Sequence, residues 1–104
     1  MLVVNRFHAG QYSGSLHTDL VMVQELLATK PGYVDGSVGR NLDDPDLWVL
    51  TTRWIGVGAY RRALSSYEIK LHGVPVLSHA IDEPSAYEVV EPDGVLNVAA
   101  PRVT

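Results

Sequence analysis

The spacing of apolar residues changes several times along this chain, and the order of the changes limits the folds that it can adopt. Residues 2–8 begin with β-branched side chains and then alternate, with Val3, Asn5 and Phe7 on one face. This pattern predicts a first strand. Residues 16–27 then carry leucine and valine at helical spacing, which predicts a helix. The chain therefore opens with a strand followed by a helix.

The next part of the chain has the pattern of a β-hairpin. Residues 33–40 alternate loosely and contain two glycines, which is typical of a strand with a bulge or a close backbone approach. Residues 41–46 supply turn-forming side chains, and residues 47–54 have the strongest β composition in the chain. Alternation places four side chains of this second hairpin strand on one face, namely Trp48, Leu50, Thr52 and Trp54.

The last third of the chain predicts a second helix and a final strand. A helical pattern begins at residue 59, and residues 65–66 are expected to interrupt it. Pro75 is expected to prevent a regular helix over residues 74–79. Residues 85–90 then predict the last strand, so the element order is β-α-β-β-α-β.

This order predicts an α+β domain with a ferredoxin-like topology and an antiparallel sheet. A chain of 104 residues is too short to divide into two domains that each bury a core. Two helices can cover one face of the sheet, and no further layer remains for the other face. Burial of that face against a second copy is the simplest solution, so we expect a homodimer.

Composition excludes several classes of partner. The formal net charge is -4, and the eight lysines and arginines are scattered, which argues against nucleic acid. No cysteine is present, and the four histidines lack metal-ligand spacing, so no metal site is expected. No apolar run approaches the roughly 18 residues that span a bilayer. We therefore expect a cytoplasmic protein without a membrane partner.

Three sequence features together resemble the antibiotic biosynthesis monooxygenase domain family. They are the step Lys30-Pro31-Gly32-Tyr33, the strand from Trp48 to Trp54, and the pair Ala59-Tyr60. The resemblance covers residues 1–90. It implies a dimeric α+β barrel, in which two sheets pack face to face and each subunit keeps a pocket between its sheet and its helices. We expect residues 91–104 to form a C-terminal tail, in which the apolar residues 95–98 favour an extra strand on the partner.

The resemblance also implies a chemistry and a set of site residues. Members that oxidise aromatic polyketides without a cofactor surround the substrate with a strand-end tryptophan, a tyrosine six residues later and an asparagine four residues before the tryptophan. Trp54 and Tyr60 match the first two positions, whereas Leu50 replaces the asparagine. The leading hypothesis is therefore a cofactor-independent monooxygenase acting on an aromatic or quinone-type molecule, with Trp54, Tyr60, Asn5 and His72 as catalytic residues. His72 would be the proton shuttle.

Further residues of the expected pocket follow from position. Asn5 is a polar residue among apolar neighbours, which is the clearest local conflict in the sequence and points to a site. Phe7 lies on the same strand face, and Arg62, like Arg61, is close enough to Tyr60 in sequence to bind a substrate. We expect Phe7 and Arg62 to contact the substrate.

Two alternatives use the same fold. Haem-degrading members of the family combine an asparagine on the first strand, a tryptophan on the second helix and an axial histidine, and Asn5 and His72 match the first and third. Arg62 stands in place of the tryptophan. The other alternative is a non-catalytic dimeric module that binds a small molecule, which the replacements at Leu50 and Arg62 favour.

Overall fold

The structure is a computed structural model, and it describes residues 1–94 and 96. An antiparallel sheet of four strands is covered on one face by helices. The elements, in chain order, are β1 (Leu2–His8), a short 3-10 turn (Ala9–Gln11), α1 (Leu16–Ala28), β2 (Tyr33–Arg40), β3 (Leu47–Trp54), α2 (Val57–Ser65), a π-helical turn (Ile69–Gly73), α3 (Val74–Leu77) and β4 (Ala86–Tyr87). This is the predicted α+β ferredoxin-like architecture.

The strand order β2-β3-β1-β4 places the first strand in the middle of the sheet. In the register of β1 and β3, Asn5 lies directly opposite Leu50, and Phe7 lies opposite Trp48. The pairing of β2 with β3 shifts between Tyr33 and Asp35, which confirms the predicted bulge. The register therefore brings the interior side chains of β1 and β3 together on the helix-covered face.

The core lies between that face and the helices. Its buried side chains include most of the predicted interior positions of α1, β1 and β3, whereas Asn5 and Trp48 are only partly buried. The buried apolar residues are Val3, Phe7, Leu16, Leu20, Val23, Leu27, Leu50, Trp54, Ala59, Ala63, Ile69 and Val76. Thr52 is buried with them. Burial of this apolar surface is the main stabilising contribution to the fold.

Gly32 explains the proline-glycine-aromatic step after α1. Its φ of 89° is in the left-handed region that glycine adopts without strain. A β-carbon at this position would overlap the β-carbon of Ala59 and lie 3.0 Å from Cγ1 of Ile55. The Gly32 carbonyl also accepts a hydrogen bond of 2.9 Å from the Ile55 amide. The connection between α1 and β2 therefore packs closely against the beginning of α2.

The C-terminal third differs from the sequence-based prediction in two respects. Helix α2 ends at the predicted interruption, with Ser66 as its C-cap, but helical structure then continues to Leu77. Pro75 does not prevent this, because it lies in the first turn of α3, where a proline displaces no helical hydrogen bond.

The final strand is shorter than predicted, since β4 pairs with β1 only through Ala86 and Tyr87. Most of the apolar segment 95–98, proposed to add a strand to a partner, lies outside the described residues. Among the described helices, none has the length and apolar character needed to cross a bilayer.

Candidate functional site

A cavity of about 750 Å³ lies between α2 and the β4 edge of the sheet. This volume is in the range that small-molecule sites occupy. Helix α2 and the residue before it form one wall, and β4 and the residues after it form another. The described lining residues are Met1, Gly56, Val57, Tyr60, Arg61, Leu64, Ala86, Tyr87, Glu88 and Val89. The walls are mainly apolar, and the cavity is therefore suited to an aromatic ligand.

Tyr60 connects the cavity to the interior of the protein. It is half-buried on α2 and lines the cavity. Burial raises the pKa of its hydroxyl, because the phenolate is poorly solvated there, and the Asn5 side chain lowers the same pKa as a hydrogen-bonding partner. Tyr60 therefore keeps its proton at neutral pH and can donate a hydrogen bond.

Trp54 lies behind Tyr60 in the core. Its side chain is buried, and its indole nitrogen donates a hydrogen bond of 2.9 Å to Oγ1 of Thr52. The Trp54 ring contacts Tyr33 edge-on at 5.4 Å between centroids and Tyr60 at 5.5 Å. Such contacts hold aromatic rings in defined orientations. The predicted site residue Trp54 thus contacts Tyr60 and fixes its position, and it is not among the residues that line the cavity.

The sheet register gives Asn5 a neighbour that the sequence did not reveal. Leu50 stands at the position where the resemblance described above predicts an amide, and in this protein it is a fully buried core residue. Asn5 is its direct partner on β1, and residues paired in this way have β-carbons about 5 Å apart. The structure therefore places one side-chain amide next to the expected position, on the neighbouring strand.

The other predicted site residues are not part of the cavity wall. Phe7 is buried in the core. His72 is exposed on the π-helical turn, and Arg62 is exposed on α2 with its guanidinium near Gly58. Arg61, which was not among the predicted site residues, lines the cavity. The two arginines are adjacent in sequence, and only their different angular positions around the helix axis decide which of them faces the cavity.

The histidines of the described residues lie away from the cavity wall. An axial histidine must face the bound macrocycle. No histidine is among the described residues of the cavity wall, and His72 is exposed elsewhere. Within residues 1–94 and 96, no group of three or more histidine and carboxylate side chains is arranged to hold a metal ion.

Several solved structures are similar to this chain. The cofactor-independent oxygenase SnoaB from Streptomyces nogalater is 20% identical, with a TM-score of 0.71, over 89% of this chain and 96% of SnoaB. Rv0793 from Mycobacterium tuberculosis is 15% identical, with a TM-score of 0.68, over 89% of this chain and 97% of Rv0793. A candidate antibiotic biosynthesis monooxygenase from Deinococcus radiodurans is 17% identical, with a TM-score of 0.64, over 93% of this chain and 100% of the Deinococcus protein.

No protein-family model matches the sequence, and no curated protein is similar to it at a significant level. The similarity at these low identities establishes the fold. The chain has the α+β ferredoxin-like fold of the antibiotic biosynthesis monooxygenases, as the resemblance of its motifs predicted.

Proposed function

We propose that this protein is a cofactor-independent monooxygenase that oxidises an aromatic or quinone-type small molecule in the cavity between α2 and β4. The observation that carries the proposal is the position of Tyr60. Its hydroxyl is protonated, lies beside an apolar cavity and interacts with Asn5 on the side of the sheet. An apolar cavity with one oriented donor is the main requirement of this chemistry.

The reaction needs little else from the protein because the substrate itself reduces dioxygen. In an anthrone-type substrate, a ring CH₂ group loses a proton and the resulting enolate transfers an electron to dioxygen. The two radicals combine to form a carbon–oxygen bond, and the peroxide then loses water to leave a carbonyl group. One oxygen atom enters the product and the other becomes water. The four electrons that reduce dioxygen come from the oxidised carbon.

Tyr60 would act as the hydrogen-bond donor in this sequence. A donor near the developing enolate oxygen stabilises its negative charge, and the effect is greater in an apolar cavity than in water. Because the raised pKa keeps the hydroxyl protonated, Tyr60 can donate throughout the neutral range. The substrate proton would leave to solvent at the open side of the cavity.

Asn5 and Trp54 would act through Tyr60. An amide N–H that donates to the Tyr60 oxygen leaves the hydroxyl proton free to point elsewhere, and the cavity is the open direction. Trp54 packs against the Tyr60 ring and limits its rotation. Both are therefore proposed as positioning residues. His72 is outside the cavity, and from that position it would exchange protons with the substrate only through solvent.

The similarity to SnoaB supports this proposal, since SnoaB is described as a cofactor-independent oxygenase. The replacement of the expected amide by Leu50 is the main departure. Asn5, its register partner, supplies an amide on the adjacent strand and reduces that difference.

The functional unit is proposed to be a homodimer. The face of the sheet opposite the helices carries Val4, Val49 and Thr51, which are only partly exposed, and no described helix covers it. A bidentate pair between Arg6 and Glu83 also lies on this face. An interface between two copies has an apolar core and a polar rim, and this face offers side chains of both kinds.

The direct test measures dioxygen consumption by chelator-treated protein on a panel of anthrone-type and hydroquinone substrates. We expect one dioxygen consumed per substrate oxidised, with one atom of labelled dioxygen in the product. Added hemin should not increase the rate. Absence of turnover across the panel would contradict the proposal and favour the non-catalytic binding module.

A further inference from the structure

The cavity contains a positive charge that the proposed reaction does not use. Arg61 lines the wall formed by α2, next to Tyr60. Successive helical residues are about 100° apart around the axis, so the two side chains reach the cavity from different directions. A ligand could therefore meet Tyr60 at one end and Arg61 at another.

Arg61 also lacks a counter-ion among the described residues. The described salt bridges join Arg6 to Glu83, His8 to Asp46 and Lys30 to Glu68. Glu88 lines the opposite wall, formed by β4 and the residues that follow, and is not a partner in any of these three salt bridges. An anionic group in the cavity would be attracted to Arg61 on the α2 wall.

We propose that Arg61 binds a carboxylate or phenolate of the ligand, so that the cavity selects an aromatic acid over a neutral ring system of the same shape. A guanidinium binds a carboxylate through two parallel hydrogen bonds, and apolar walls around it reduce screening by water. The anionic group would fix which edge of the ring system faces Tyr60. This inference rests on the proposed function for the location of the site, but it concerns binding and does not require turnover.

Arg62 provides a matched control. It has the same charge, is the next residue on the same helix, is also exposed, and does not line the cavity. Its guanidinium lies near Gly58, with Nη1 3.1 Å from the place of a β-carbon there. A general electrostatic attraction would depend on both arginines about equally, whereas a specific contact would depend on Arg61 alone.

The test compares anthraquinone-2-carboxylate with its neutral amide, anthraquinone-2-carboxamide, by calorimetric titration of the purified protein. We expect Arg61→Gln to weaken carboxylate binding by about five- to tenfold, as for a partly exposed charged hydrogen bond. Arg62→Gln should change the affinity for the carboxylate by less than about twofold. Neither variant should change the affinity for the amide by more than about twofold. The preference for the carboxylate should also decrease with added salt in the wild type and not in Arg61→Gln.

Equal losses in the two variants, an unchanged affinity in Arg61→Gln, or no binding of either ligand to the wild type would each overturn the inference. Thermal melts of the variants would show that both remain folded. A protein that shows Arg61-dependent binding but no dioxygen consumption would support this inference while contradicting the oxygenase proposal. Failures of the two proposals are therefore distinguishable.

Discussion

Asn5 on β1 and Tyr60 on α2 interact through their side chains, and the Asn5 amide lowers a Tyr60 pKa that burial raises. The pair joins the central strand of the sheet to the helix that forms one wall of the cavity. An Asn5 N–H that donates to the tyrosine oxygen would stabilise the phenolate, which is consistent with the direction in which Asn5 shifts this pKa.

Removal of the Tyr60 hydroxyl should impair the reaction much more than the fold. We expect Tyr60→Phe to reduce kcat by about a hundredfold, since loss of one oriented donor has an effect of this size. The free energy of unfolding should change by less than about 1 kcal/mol, because the ring and its contact with Trp54 remain. Tyr67→Phe is the control, since Tyr67 is 77% exposed. Unchanged turnover in Tyr60→Phe would remove Tyr60 from the site.

Asn5→Leu should raise the pKa of Tyr60 further, because it removes the partner that lowers it. No described backbone group is hydrogen-bonded to the Asn5 side chain, so the free energy of unfolding should change by less than about 1 kcal/mol. Turnover should fall, since the hydroxyl loses its fixed direction. Spectrophotometric tyrosine titration and thermal melts measure these effects. A loss of several kcal/mol with unchanged turnover would show that Asn5 is structural.

The alkaline stability of the protein should depend on Tyr12. Burial, assisted by a hydrogen bond from the Tyr12 hydroxyl to Asp19, raises the Tyr12 pKa from 10.0 to about 12. The unfolded chain therefore loses this proton first as pH rises. The contribution of Tyr12 to stability should be complete below pH 10 and lost as pH rises through about 12.

Tyr12→Phe keeps the ring contact with His79 and removes the ionisable group. Its stability should decrease less than that of the wild type over this pH range, as measured by denaturant unfolding at several pH values. Tyr67→Phe should follow the wild type. Parallel curves for Tyr12→Phe and the wild type would contradict the prediction.

Gly14 and Gly32 both have a positive φ, and alanine substitutions at these two positions distinguish the cost of backbone strain from the cost of steric overlap. Gly14 has a φ of 98° with nothing near its missing side chain, whereas a β-carbon at Gly32 would overlap Ala59. We expect Gly14→Ala to cost about 1 kcal/mol and Gly32→Ala about 1–3 kcal/mol more. Gly32→Ala should also reduce turnover, because it displaces the beginning of α2. Equal melting temperatures for the two variants would contradict this account.

The proposed dimer can be tested at Thr51, in the middle of the sheet face opposite the helices. Thr51→Arg should lower the mass in light scattering from about twice the 11.4 kDa chain mass to that of one chain. Leu71→Arg is the control, since Leu71 is half exposed on the π-helical turn, within the helix layer. A wild-type protein that stays monomeric would contradict the dimer itself.

Much of the fold could be predicted, because the spacing of apolar residues along a helix or strand indicates which of its faces is buried. The interior positions of β1, α1 and β3 follow from alternation and helical spacing, and the structure buries all of them except Asn5 and Trp48, which are partly buried. The bulge in β2 was signalled by its glycines. The final strand was overestimated, because an apolar run at the edge of a sheet does not show how far its partner strand extends. The helix through Pro75 was missed, because a proline in a first helical turn has the same sequence signature as a break.

The candidate site was predictable only in part. The family resemblance proposed Tyr60 through its spacing after Trp54, and the conflict with apolar neighbours proposed Asn5. Tyr60 lines the cavity, and Asn5 is not among the described lining residues. The difference between Arg61 and Arg62 could not be read from the sequence, because one helical step decides which of them faces the cavity. The exposure of His72 depends on the π-helical turn, which rotates the chain away from regular helical spacing.

The sequence by itself determined the order of elements, the buried faces and the need for glycine after α1, because these depend on local spacing and on backbone sterics. The tertiary structure decided which side chains share the cavity. Asn5 and Tyr60 are far apart in sequence, and only the strand register and the packing of α2 on the sheet bring them together. Such long-range contacts depend on how helices and strands pack against one another in three dimensions, and the local spacing of residues does not specify this packing.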